Sequence, residues 1–250
     1  MSVPFRIEVC VENTDGLIAA QNAGADRVEL CASLIEGGLT PSWGMIHRAL
    51  DLATVPFHPI IRNRGGDFLY SQVEFDAMLA DVRSLRGTGV AGVVIGCLHR
   101  NGTFDEDRMK RLVDASGEMS VTSHRAFDMT RDPEEAVEAL VRCGVDRVLT
   151  SGHHDTASEG IEVLRRVKAA ASDRLVVMAC GGLREDNIAR VRAAAEPDEM
   201  HFAALMQTPS AMDFRNAGIG MGGNDLEREY TNTVTDEATV RRIIAAAKGT

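Results

Sequence analysis

The 250-residue sequence predicts an α/β fold, a single (β/α)8 TIM barrel occupying residues 1–250, and three observations carry that prediction. The length is typical of such a barrel. Short apolar runs alternate with amphipathic segments from one end of the chain to the other, with no linker dividing them. The first run leads into "EVCVENTDG", which lacks the glycine-rich nucleotide loop that a doubly wound open sheet would carry there.

Eight strands are expected, at Arg6–Cys10, Arg27–Leu30, Phe57–Ile61, Gly92–Gly96, Ser120–Ser123, Arg147–Thr150, Leu175–Ala179 and Glu199–Phe202. Most are short and apolar throughout, as parallel strands covered by helices are. The helices between them carry start and stop signals. Thr40-Pro41 opens one. Ser71 and Glu74 form a capping-box pattern ahead of an apolar stripe of Phe75, Met78, Leu79, Val82 and Leu85 at helical spacing. Asp132 is placed as an N-cap, Pro133 as the first helical residue and Gly144 as the left-handed residue after the helix end. "TASE" opens a helix at Thr156, and a last helix begins near Asp236. Between the last strand and that helix, residues 207–235 read as a long irregular loop, a lid, an oligomer contact or a tail.

The stretches "AGADRVEL" (23–30) and "CGVDRVLT" (143–150) echo each other about half a chain apart, sharing Gly, Asp, Arg and Val in register. A common helix-to-strand turn and a half-barrel duplication both account for the echo.

Working residues of a barrel gather at the C-terminal ends of its strands. Read there, the sequence supplies Glu8 and Cys10, then Glu29 and Cys31, then His58, Arg62, Arg64 and Asp67. Cys97 and His99 follow, then His124, Arg125 and Asp128, then Ser151, His153 and His154, and finally Cys180, Gly181, Gly182 and His201. Strand alternation puts Glu8 on one face with Cys10, Glu29 with Cys31, and His58 with Arg62. Buried carboxylates are costly unless paired, so an inward Glu8 and Glu29 require Arg62, Arg125 or a metal nearby.

Each group has a plainer structural alternative. Cysteine often packs as a small hydrophobe, the expected role of Cys143 at a helix end. His124, Arg125 and Asp128 form either an acid–base set or a polar tie on their loop. "RNRGGDF" either cradles an anion or neutralises Glu8 and Glu29. "CGGL" precedes a helix whose amides would bind phosphate, or is a tight turn. His153-His154 reads as solvated loop.

A net charge of −10 argues against a bulk nucleic-acid surface. No run is long and apolar enough to span a membrane, and the N-terminal stretch lacks a secretory signal pattern. Five scattered cysteines without a CxxC pair are expected to be free thiols in a reducing cytoplasm.

The stretches "EVCVEN", "AGADRVELC", "EGGLTPSWG", "HPIIRNRGGDFLYS", "SHRAFDMTRDP", "DRVLTSG" and "MDFRNAGIGMGG" resemble the CutC copper-homeostasis family, in order across nearly the whole chain. The resemblance implies a (β/α)8 barrel, a cytosolic protein tied to copper tolerance, and copper binding through cysteines. Cys10 in "EVC" and Cys31 in "VELC" match the family cysteines proposed as ligands, and their thiolates suit soft Cu(I). The sequence departs from the family at Asn63 in "RNRGG", at Ser123, at Cys180 and at Phe202, where some relatives carry a cysteine.

Two functions of different class are expected from this set. One is copper handling, with Cu(I) held by Cys10 and Cys31. The other is an enzyme acting on a small anionic or carbonyl substrate, with Glu8, Glu29, Arg62, His124 and Asp128 as catalytic groups. Arg62, Arg64, Arg125, Ser151, Gly181, Gly182 and His201 would then hold the anion. Either way the partner is a copper ion or a small anionic ligand, with no nucleic acid and no membrane, in a homo-oligomer.

Overall fold

Eight parallel strands form the centre: β1 (Arg6–Val11), β2 (Arg27–Leu30), β3 (Phe57–Pro59), β4 (Gly92–Ile95), β5 (Ser120–Ser123), β6 (Arg147–Thr150), β7 (Val176–Ala179) and β8 (Glu199–Phe202). The computed structural model describes residues 5–216, 218–221 and 228–249. The first four residues and part of "MDFRNAGIGMGG" lie outside the described residues. Pairing runs β3-β2-β1-β8-β7-β6-β5-β4, and a parallel bridge between Ile60 and Val94 closes the ring. The fold is therefore the expected barrel, with strand ends within two residues of those read from the sequence.

The helices are α1 (Thr14–Asn22), α2 (Trp43–Leu52), α3 (Gln72–Leu85), α4 (Glu106–Ser116), α5 (Pro133–Cys143), α6 (Ile161–Ala171), α7 (Ile188–Ala195) and α8 (Glu237–Lys248). The Ser71–Glu74 capping box forms reciprocally at the start of α3. Asp132 caps α5 and Gly144 ends it at φ +76°. Asp236 caps α8.

Three local expectations are corrected. Ser42, not Thr40, caps α2, because Thr40 Oγ1 instead accepts the Arg62 amide at 2.9 Å. Thr156 and Glu159 do cap each other, but the segment only turns there and α6 begins at Ile161. The stretch before α8 is not irregular throughout. Its ends pair as an antiparallel ribbon, β9 (Leu205–Pro209) with β10 (Thr231–Thr235), for which the β-branched run "TNTVT" is suited.

The two echoing segments serve the same purpose. Asp26 accepts the Ile7 amide at 2.8 Å and Asp146 accepts the Val121 amide at 2.8 Å, each latching a strand to the start of its neighbour. Asp198 repeats the latch on Val177 at 2.9 Å.

Apolar side chains facing outward from the ring pack under the helices as one continuous core. The interior is different, because side chains from alternate strands fill a barrel in layers. The N-terminal layer is ionic. Arg27 pairs with Glu8 and, through Nη2, with Glu199 at 2.5 Å; Arg147 Nε reaches Glu199 at 2.7 Å. Glu8 thus has its counter-ion in Arg27, not in Arg62 or Arg125 as expected, because the β1–β2 register sets Glu8 directly opposite Arg27. Above this layer come small apolar groups, Cys10, Cys31, Ile60 and Val94 on one side and Leu149, Met178 and Cys180 on the other.

Candidate metal and ligand site at the barrel mouth

Cys10 and Glu29 are opposed in the β1–β2 register, and Cys31 follows directly after β2. Alternation turns all three inward. The two sulfurs lie 3.6 Å apart, and one ligand atom from each of Cys10, Glu29 and Cys31 falls within 4.8 Å of the others. The spacing "ELC" puts Glu29, one of the expected catalytic groups, beside both thiols.

His201 on β8 joins this cluster to the ionic layer. Its Nδ1 donates to Glu8 Oε1 at 2.8 Å, and its Nε2 stands 3.7 Å from Glu29 Oε2. Burial works against the imidazolium, but hydrogen bonds to Cys10 and Glu8 and both carboxylate charges hold its pKa well above the ordinary value. For Glu8, burial is outweighed by the Arg27 charge and the His201 hydrogen bond, which keep the carboxyl well below the usual range. Glu29 goes the other way: burial and the charge of Glu8 push it up. Both thiols are raised. Cys10 is held up by its hydrogen bond to Cys31 and by burial, and Cys31 is pushed up to about 12 mainly by burial.

Above the thiols opens a cavity of about 620 Å³, lined by Glu29, Arg62, Phe68, His124, Arg125, Asp128, Cys180, Gly181, Gly182, Arg184 and His201 among others. Most of the expected site residues therefore meet at one rim. Their roles divide. Asp128 accepts from Arg125 Nε at 2.7 Å, Thr150 Oγ1 at 2.5 Å, Ser151 N at 3.1 Å and His153 N at 3.2 Å. Such a saturated carboxylate binds its own loop to the next strand, and Arg125 and Ser151 are drawn into the same tie at 2.7 Å.

Arg64 does not line the cavity; its guanidinium is spent on Glu74, Asp67 and three carbonyl oxygens. Gly181 and Gly182 have φ of +91° and +63°, a tight turn, and α7 starts only at Ile188, so their amides are not those of a helix N-terminus. Sequence reasoning missed Arg27 and Arg147, although the repeated "DRV" was their signal, and it missed Glu199 and, at the rim, Phe68 and Arg184.

Comparison with known proteins agrees with this architecture. The sequence profile of the CutC family matches residues 5–206. A CutC family protein of Mesorhizobium japonicum is 61% identical over 242 residues, 97% of this chain and 94% of that protein. The copper homeostasis protein cutC homolog of Mus musculus is 40% identical over 244 residues, 98% of this chain and 90% of that protein. The crystal structure of CutC from Streptococcus agalactiae superposes with a TM-score of 0.75 at 28% identity, covering 80% of this chain and 98% of that one. Phosphoribosyl anthranilate isomerase from Thermococcus kodakaraensis, at 16% identity and a TM-score of 0.56, covering 99% of this chain and 100% of that one, shares the fold alone. Fold, motif order and full-length identity converge, and the chain belongs to the CutC family.

Proposed function

We propose that the chain takes part in copper homeostasis by holding Cu(I) between the thiolates of Cys10 and Cys31. The observation that carries this reading is the 3.6 Å approach of two sulfurs beside the carboxyl of Glu29, a residue that lines the open cavity. Soft sulfur donors select Cu(I) over harder divalent ions, and Cu(I) accepts a low coordination number. The family's copper-homeostasis name points the same way. All five cysteines are free, which suits a reducing cytoplasm.

The raised thiol pKa values fit a cargo site. Without metal both thiols stay protonated and inert, and a bound cation would supply the charge that favours the thiolates. His201 and Glu29 stand close enough to take part in that exchange of charge.

The test is anaerobic Cu(I) titration against a competing chelator, with X-ray absorption at the copper edge. Stoichiometric binding with sulfur scatterers is expected, lost in the Cys10→Ser/Cys31→Ser double variant. Undiminished retention by a folded double variant would overturn the reading.

A further inference from the structure

The thiol pair is spaced for a bent pair of bonds rather than a straight one. Cys10 Sγ and Cys31 Sγ stand 3.6 Å apart. A tetrahedral ion with metal–sulfur bonds of about 2.3 Å holds two sulfurs roughly 3.8 Å apart, whereas a linear ion with such bonds holds them roughly 4.6 Å apart. Thiols in plain contact pack at a similar distance, so the third donor decides.

That donor is Glu29. It lies opposite Cys10 in the β1–β2 register, and one of its carboxyl oxygens falls within 4.8 Å of both sulfurs. Both thiols hydrogen-bond to this carboxyl, so the three donors already face one another. None of the three residues is more than 5% exposed. Glu8, in the layer below, pairs directly with Arg27. Glu29 has no such partner: among the described residues its one ion pair is with His201 Nε2 at 3.7 Å, too long for a hydrogen bond. A buried carboxylate in this position calls for a cation.

We propose that the pocket also binds a divalent, thiophilic cation of the zinc class, with Cys10 and Cys31 as sulfur ligands and Glu29 as an oxygen ligand. The inference rests on the reading of the thiol pair as a metal site, and it adds both a ligand and a cargo. Sulfur with harder donors at the corners of a tetrahedron suits zinc. Charge points the same way. Two thiolates and a carboxylate surround a monovalent ion with more negative charge than it offsets, and a divalent ion offsets one unit more, which matters where all the donors are buried. As the ion enters, each thiol exchanges its S–H bond for a sulfur–metal bond and its proton leaves to solvent. Three protein ligands leave one tetrahedral position for a water, and Glu29 lines the cavity that would supply it. His201, held by Glu8 through Nδ1 at 2.8 Å, backs the Glu29 carboxyl as an outer partner.

The test is titration of the reduced full chain with zinc chloride against a chromophoric chelator, alongside the Cu(I) titration, with X-ray absorption at the zinc edge. One zinc per chain is expected, with two sulfurs at about 2.3 Å and oxygen near 2.0 Å. Glu29→Gln keeps the volume and should weaken zinc binding at least about tenfold, as much as the loss of an outer-shell partner costs or more, and Cu(I) binding by less. The Cys10→Ser/Cys31→Ser variant should lose zinc altogether. Zinc bound without Cu(I) would uphold this inference while removing the copper reading. A native chain that binds Cu(I) and no zinc would overturn this inference and leave the copper reading standing. Zinc bound through sulfur alone, zinc held equally well by a folded Glu29→Gln variant, or zinc retained by the double serine variant would each overturn it too.

Discussion

Arg27 and Arg147, at matching positions of the two echoing segments, close on a single carboxylate, that of Glu199. Nη2 of the first reaches it at 2.5 Å and Nε of the second at 2.7 Å. Three charged side chains, none more than 7% exposed, are thereby neutralised inside the barrel with Glu8.

Removing one member should be severe. Glu199→Gln keeps the volume and deletes the shared negative charge, leaving two buried guanidinium groups against Glu8 alone. A loss of about 3–5 kcal/mol is expected, read as a lower midpoint in urea unfolding. An unchanged midpoint would mean that the cluster adds nothing to stability.

Gly96 is predicted to be intolerant of even a methyl group. A Cβ there would lie 2.5 Å from His124 Cε1 and 2.8 Å from Ala126 Cβ. Gly96→Ala should cost roughly 1–3 kcal/mol by overpacking and shift the His124 ring resonances in NMR spectra.

Stability should rise with pH between about 4.3 and 6.5, the ordinary Glu and His values. His58 and His124 are both pushed down to about 3 by burial, so in this window the unfolded chain binds two protons that the folded chain refuses. Glu29, raised by burial, works in the opposite sense. His201 acts only above about 6.5, where its raised pKa makes the folded state the better proton binder and stability declines again. Thermal midpoints across this range should show a maximum near neutrality, and His124→Phe should flatten the acid limb.

Loss of the helix cap is predicted to act locally. Ser71→Ala removes the oxygen that accepts the Glu74 amide at 3.2 Å and should cost about 1 kcal/mol in chemical denaturation, without altering the mouth.

Much of the barrel was legible because the physics is repetitive. Short strand-like runs alternate with capped helical segments all round the ring, and β2, β5, β6 and β8 were bounded correctly from the letters alone, even though they also carry buried polar residues. What the letters hid was lateral register. Nothing in "RIEVC" says that Glu8 lies opposite Arg27 rather than near Arg62, since that pairing is fixed only when neighbouring strands align. The ribbon of β9 and β10 was obscured for a related reason, because its two strands are far apart in sequence and pair across a long connection. At the site, strand alternation correctly grouped Glu8 with Cys10 and Glu29 with Cys31. The saturation of Asp128 depends on loop atoms that no spacing reveals.

The ionic layer also bears on how the ring can close. A strand that slid by one residue would turn its inward face outward. For β2 that slip would drive Arg27 into the greasy shell beneath the helices and strand Glu8 and Glu199 without their shared cation. Misthreaded barrels are thus penalised by charge as well as by shape, and the polar heart acts as a key that fits only the native alignment.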